Sequence, residues 1–317
     1  IISSNYDGNN SSVASKNFGA TITGSLNSIE SATSSSNYSG VANSIVGTAN
    51  RTANSNGSLI FGAGNEITNS IDSLSGTPTD GGASAKDLAD TLRAAVKSSK
   101  SGGATLAIGG GNKADYTQRT SIIGVNNTVT GTSGSLSTFN SITGYNNIAT
   151  NINHVSVIGS KNNVTNTNGA VVFGDKRTLT GADGSVVIGS SQNGTSTSVK
   201  NAVAIGSEAN VTKEGGVALG AGSVASVDKG AAGYDPGTGT NSTDTSSVWK
   251  STQAAVSVGD TSKGITRQIT GVAAGTNDTD AVNVAQLKKV KTSIVAAAST
   301  EVRAGTVSYT HLRAHET

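Results

Sequence analysis

One short phrase keeps returning along this chain: two or three apolar residues, a glycine, then a polar turn ending in an apolar residue. It reads Ser58-Leu-Ile-Phe-Gly62, Thr105-Leu-Ala-Ile-Gly109, Thr120-Ser-Ile-Ile-Gly124, Asn140-Ser-Ile-Thr-Gly144 and Ser156-Val-Ile-Gly159. It returns as Ala170-Val-Val-Phe-Gly174, Ser185-Val-Val-Ile-Gly189, Ala202-Val-Ala-Ile-Gly206 and Gly216-Val-Ala-Leu-Gly220, with weaker copies at Thr21-Ile-Thr-Gly24 and Ser44-Ile-Val-Gly47. The base interval between these glycines is 15 residues, with insertions. So short a period leaves no room for a globular unit in each repeat and specifies strand-turn units stacked one on the next. The fold class is therefore all-β, a parallel solenoid.

Composition agrees with a core one side chain wide. Charged residues are 13% and aromatics 3% of the 317 residues, and the net charge is +2. That balance gives no basic stripe for nucleic acid and no polybasic segment for a membrane surface. The chain has 41 glycines but no cysteine, so disulfides, thiol catalysis and thiolate metal sites are excluded together. It starts on Ile and has no Met, and is expected to be a fragment whose targeting signals lie elsewhere.

The phrase also predicts a partner surface. The residue two before each glycine is apolar in every copy, from Ile22 to Ala218. The residue one before is apolar in all but Thr23 and Thr143. Adjacent strand positions face opposite sides, so a lone solenoid would bury one set and expose the other. Apolar residues on both sides call for burial on both, and hence for several copies packed around a common axis. The competing reading is that Ile and Val are only good strand formers. The turn asparagines that follow, as in Gly124-Val-Asn-Asn127, tolerate left-handed backbone and can stack into ladders between coils.

Two departures interrupt the repeat. Residues 84–100 read as an inserted helix, with Ser84 and Asp87 as a capping box and Leu88, Leu92 and Val96 on one apolar stripe. It either lies against the solenoid or projects as a recognition element. After Gly220 the repeat stops, and a Gly/Asp/Thr/Ser loop leads to Trp249, the only tryptophan, expected as a packing anchor. From Asp280 a seam of period 3.5 follows, through Val284, Leu287, Lys291, Ile294 and Ala298. Residues 307–317 look foreign and are set aside as a non-native tail.

The stretch from Ser257-Val-Gly-Asp-Thr-Ser-Lys-Gly264 through Asn283-Val-Ala-Gln-Leu-Lys288 closely resembles the neck of trimeric autotransporter adhesins, and Asn201-Ala-Val-Ala-Ile-Gly206 resembles the strand phrase of their YadA-like head. The resemblance implies a left-handed parallel β-roll head, a homotrimer, and a short C-terminal coiled-coil helix. It divides the chain into head repeats at 1–226 with a helical insertion at about 70–103, an insert at 227–264, a neck at 265–286, a stalk start at 287–306 and the tail. It implies inter-chain contacts in the neck from Arg267, Asp278, Asp280 and Asn283. It also implies ligand contacts at Asn201, Val203, Ala204, Ile205 and Gly206, where Ala202 replaces the usual serine. The implied function is a surface adhesin, bound to the outer membrane through a C-terminal barrel outside this chain. Its partners would be itself, a host matrix protein or cell-surface receptor, or other bacteria.

Other chemistries find little support. His154 is the one histidine outside the tail, in a polar turn, too little for a Ser/His/Asp triad. Asp72, Asp80, Asp175 and Asp183 would be the carboxylates of a polysaccharide-processing spike, and they are scattered. Asp228, Asp235 and Asp244 have no calcium-loop spacing, and Gly109-Gly-Gly-Asn continues into a turn rather than a phosphate cradle. An ice or crystal binder needs threonine at one repeat position, and threonine recurs without holding a fixed column. No enzyme activity, metal or cofactor is expected.

Overall fold

A computed structural model describes residues 2–3, 17, 19–31, 39–71, 85–98 and 103–290. The chain divides into two compact units, one of Ile1–Lys229 with Gln253–Thr266 and one of Gly230–Thr252 with Arg267–Thr317.

The first unit is the expected solenoid. Each coil contributes one strand to a 12-stranded sheet and most contribute a second strand to a 10-stranded sheet, with every neighbour in both sheets parallel and in chain order. The 12-stranded sheet carries the glycine phrase, from Thr21–Ser25 to Val217–Leu219, and is called the glycine sheet below. Its last member, Val256–Ser257, pairs with Val217 and Ala218. The repeat does not end at Gly220 as expected: the sheet takes one more strand after the loop. The strand Leu59–Ala63 pairs directly with Leu106–Gly110, so the ladder runs on as if the intervening insertion were absent.

Side-chain alternation sets the core. The residue two before each glycine points inward, as at Ile45, Ile60, Ile122, Ile142, Val157 and Val187, all fully buried. Facing them are the middle residues of the second sheet, Ile29, Ile67, Val129, Val164 and Leu179, equally buried. Each such side chain contributes about 1.5–3 kcal/mol of apolar burial.

The glycines form a column that excludes any side chain. In the regular part they pair in register, Gly24 with Gly47, Gly62, Gly109, Gly124, Gly144 and Gly159 in turn. A Cβ on Gly144 (φ 134°) would lie 1.8 Å from the Gly159 carbonyl oxygen. Beside this column runs a buried asparagine ladder: Asn27, Asn50, Asn65, Asn112, Asn127, Asn147 and Asn162. Asn147 is representative. Its Nδ2 donates to Asn127 Oδ1 (2.9 Å) and to the Gly159 carbonyl (2.7 Å). Its Oδ1 accepts from the backbone N–H and the Nδ2 of Asn162, at 3.1 and 2.9 Å.

A threonine column is present after all, which corrects the sequence reading. Thr130, Thr150, Thr165 and Thr180 are register partners in successive strands of the second sheet. They occupy the sixth position after their glycine. The longer turn at 131–139 hid that regularity when residues were counted along the chain.

The inserted helix is present as Ala85–Ser98. Lys86, Asp87, Asp90, Arg93 and Lys97 are exposed on it, and Asp90 pairs with Lys86 and Arg93. Ser84 and the side chains of Leu88, Leu92 and Val96 lie outside the described residues, as do Lys291, Ile294, Ala298 and the tail.

Candidate interaction surfaces

The outward side of the glycine sheet carries an apolar column, interrupted at Thr23 and Thr143. It includes Phe61, Ile123, Ile158, Phe173, Ile188, Ile205 and Leu219, each 38–57% exposed. Toward the C-terminal end a second outward column turns from serine, as at Ser121, Ser141 and Ser156, to valine at Val171, Val186, Val203 and Val217. Single exposed apolar residues need no explanation, whereas a contiguous stripe marks a contact surface. The opposite, second-sheet face is polar along the threonine column.

The predicted ligand residues divide between these environments. Asn201 sits exposed in a turn at φ 54°, and Val203 and Ile205 lie on the outward face of the glycine sheet. Gly206 belongs to the glycine column, partly exposed. Ala204 is fully buried in the core, so it is corrected from a ligand contact to a packing residue.

The asparagine ladder ends at Arg177. Its backbone N–H continues the ladder by donating to Asn162 Oδ1 at 2.9 Å, but its side chain is a fully buried guanidinium. Nη2 donates to the Ala209 carbonyl, and Nε and Nη1 have no partner among the described residues. Burial works against the Arg177 charge and the Glu208 carboxylate works for it. Glu208 in turn accepts from the Gln192 backbone N–H and from the Thr195 and Ser191 hydroxyls, at 2.7 and 2.8 Å for the last two. These donors, the Gln192 N–H first, hold its pKa down at about 2 from 4.5. Nothing in the repeat announces a buried arginine; the one signal is a cation at the position where other coils place asparagine.

This depression has a sign. Glu208 contributes stability that is fully present above its unfolded value of 4.5 and is lost as pH falls toward about 2. Glu208→Gln is expected to flatten the acid limb of the stability curve over that window. Urea midpoints measured from pH 7 to pH 2.5 check this, and an unchanged acid slope in the variant would refute the assignment.

The remaining carboxylates are engaged locally. Asp175 accepts from the Ser160 backbone N–H, and Asp183 pairs with Lys200 at 2.9 Å. Asp228 lies 3.9 Å from Lys213, Asp235 closes its own turn through Gly237 N–H, and Asp244 accepts from Ser246 N–H. Asp72 and Asp80 lie outside the described residues.

In the second unit, Trp249 is half-buried and its carbonyl accepts from Gly233 N–H at 2.7 Å. The neck residues act first within one chain. Asp280, expected to reach another chain, accepts from the backbone N–H groups of Thr276 and Asn277, both at 2.9 Å. Asn283 caps the helix that begins at residue 284: Asn283 Oδ1 accepts from Gln286 N–H, and Gln286 Oε1 accepts from Asn283 N–H. Gln286 also clamps Gly275 through both the N–H and the carbonyl of that residue. The capping pair Asn283-x-x-Gln286 was legible in the sequence and was missed. Arg267 and Asp278 are exposed. Ile269, Val282, Val284 and Leu287 stand 65–72% exposed, and Ile269 and Val282 line a groove of about 460 Å³ with Val272 and Ala285.

The first unit is a two-sheet parallel solenoid with an apolar outward column, and the second carries a capped helix with exposed apolar residues, which together define a repetitive all-β class of protein with a helical segment. Residues 268–307 match the family described as the coiled stalk of trimeric autotransporter adhesin. The chain is 64% identical over 75 residues to the autotransporter adhesin BadA of Bartonella henselae, covering 24% of this chain and 2% of that protein. It is 52% identical over 83 residues to the trimeric autotransporter adhesin AtaA of Acinetobacter sp. (strain Tol 5), covering 26% of this chain and 2% of that protein. On these matches the chain resembles trimeric autotransporter adhesins, and it spans about 2% of the length of each of these two relatives.

Proposed function

We propose that this chain is the head, neck and stalk start of a surface adhesin, with three copies associated through the outward face of the glycine sheet. The observation that supports this best is the apolar column from Phe61 to Leu219, exposed in a single chain. Covering it with identical columns from two other copies would satisfy the two-sided pattern of every strand. The neck would then pass this arrangement to the coiled stalk, and the exposed Arg267 and Asp278 would contact another chain there. Attachment would come from repeated weak contacts on three identical faces, amplified by multivalency, to a host matrix protein, a cell-surface receptor or other bacteria. Anchoring in the outer membrane would be supplied outside this segment.

Light scattering tests the assembly. The chain, and a sample with a three-stranded coiled coil following residue 300, should each show three times the monomer mass. Phe173→Glu with Ile188→Glu should return the unfused chain to monomer while leaving its β-rich circular dichroism intact. A folded monomer in both parent samples would overturn the reading.

The threonine column favours a second reading, contact with an ordered surface such as ice. Its methyl and hydroxyl groups repeat at the strand spacing of about 4.8 Å. Inhibition of ice recrystallisation by the parent, lost in Thr150→Lys, would support that reading, and no inhibition by the parent would dismiss it.

A further inference from the structure

Two adjacent columns run along the turns that precede the glycine strands. Each residue of the outer column donates its backbone N–H to the inner column of the coil before: His154 to Thr138, Gly169 to Asn153, Gly184 to Asn168 and Asn201 to Asp183. In the outer column the Arg119 guanidinium lies 5.3 Å from the Phe139 ring centroid, and Phe139 stacks on His154 with centroids 4.8 Å apart and planes 20° apart. The stack then stops. Gly169 carries no side chain, and a Cβ there would meet nothing within 4 Å. One coil further, Asn201 folds its amide over Gly184, with Oδ1 2.7 Å from the position of a Gly184 Cβ.

The interval from His154 to Asn201 is three strand spacings, about 14 Å, and the folded Asn201 amide leaves about 9 Å of it open. A ring in van der Waals contact on both faces needs roughly 7–8 Å. The opening over Gly169 is therefore a slot one ring thick, at the spacing where the stack would otherwise continue.

The walls specify the ring. His154 is exposed, and its ring nitrogens have no hydrogen-bond partner among the described residues. Beside the slot runs a polar row. Asn153 Nδ2 donates to Asn168 Oδ1 at 3.2 Å, and Asn168 Nδ2 donates to Asp183 Oδ1 at 3.3 Å. Each amide uses one of its two side-chain N–H groups in this row, and the other remains for a ligand. The Asp183 charge is already answered by Lys200 at 2.9 Å. An exposed ring face, a neighbouring row of amides and a paired carboxylate match a neutral pyranose, which offers a C–H face for stacking and hydroxyls at its rim. A phenyl side chain would satisfy the stack and leave the polar row unused.

We propose that the slot over Gly169, between His154 and Asn201, is a glycan subsite for a neutral hexopyranose. This deepens the adhesin reading by naming the chemistry of a surface the head would grip. Three copies would present three such slots, so a weak subsite would gain by multivalency.

Saturation-transfer NMR on the full chain tests it, with methyl β-D-glucoside, methyl β-D-galactoside and methyl N-acetyl-β-D-glucosaminide as probes. Transfer to the ring protons of at least one glycoside is expected, with millimolar affinity. His154→Ala should weaken it at least about tenfold. Gly169→Asn should block it while keeping the fold, since Asn201 already holds a left-handed turn in the same column. Circular dichroism and solution mass on the same samples separate a lost slot from a lost assembly. No transfer to any of the three glycosides would overturn the proposal, as would transfer undiminished in Gly169→Asn. Transfer to N-acetyl-phenylalaninamide alone would overturn it in favour of a protein ligand.

Discussion

Gly144→Ala is expected to lower the thermal midpoint by about 10 °C or more. The new Cβ would sit 1.8 Å from the Gly159 carbonyl oxygen. Real Cβ contacts do not fall below 3.0 Å, so one backbone must move by more than an ångström. That backbone is the strand Ser156–Ser160, paired residue for residue with Ser141–Tyr145, and moving it breaks the ladder. The φ of 134° adds strain of about 1–3 kcal/mol for any side chain. Together these cost about 4 kcal/mol. Gly169→Ala is the control. It adds the same methyl into open space at φ 63°, and only the left-handed penalty of about 1–2 kcal/mol applies. Calorimetry of both variants decides the matter, and equal shifts would refute the close-approach argument. Because coils contact only their neighbours, faster hydrogen exchange should be confined to the coils around residues 141–160.

Asn147→Ala is expected to cost about 3–5 kcal/mol, although it removes little apolar area. Four hydrogen bonds go with the amide. The buried Asn162 backbone N–H loses its side-chain acceptor away from water, and the partly buried Gly159 carbonyl loses its donor. Asn147→Asp is the sharper test. At neutral pH a carboxylate can accept from Asn162 but cannot donate to Gly159, and burial opposes its charge. Its folded-state pKa is therefore raised, so the penalty shrinks as pH falls and the acid protonates. Chemical denaturation at pH 7 and pH 4 should show the Asp variant closer to the parent at the lower pH. A pH-independent deficit would mean that the ladder is held by packing rather than by its donors and acceptors.

The columns were legible in the chain to different degrees. The buried position two before glycine and the exposed apolar position one before it follow from side-chain alternation, which is local. The threonine column runs through four consecutive coils only, with Asp115 and Ala53 at the same register position upstream, and the turn at 131–139 breaks its even spacing along the chain. The asparagine ladder was anticipated as a possibility, but its donors to the glycine carbonyls were not. Arg177 gave only its place in the asparagine column as a signal, since a cation in a polar stretch is ordinarily exposed and only the arrival of Ala209 and Glu208 from a later coil encloses it. Nor did the aromatic stack: Phe139 and His154 are 15 residues apart and meet because each heads the turn of its own coil.

By itself the sequence determined the period, the inward and outward sets, and the need for glycine at one position of each coil. These follow from strand alternation and from steric exclusion at a single residue. Only the tertiary structure decided that Leu59–Ala63 pairs with Leu106–Gly110 across a long insertion, and that Val256–Ser257 rejoins the sheet after the loop. It also decided that Arg177 ends the ladder and that the stack stops over Gly169. Parallel pairing joins residues distant in the chain through backbone hydrogen bonds that carry no residue identity, so the partner of a strand is settled by which coil lies above it.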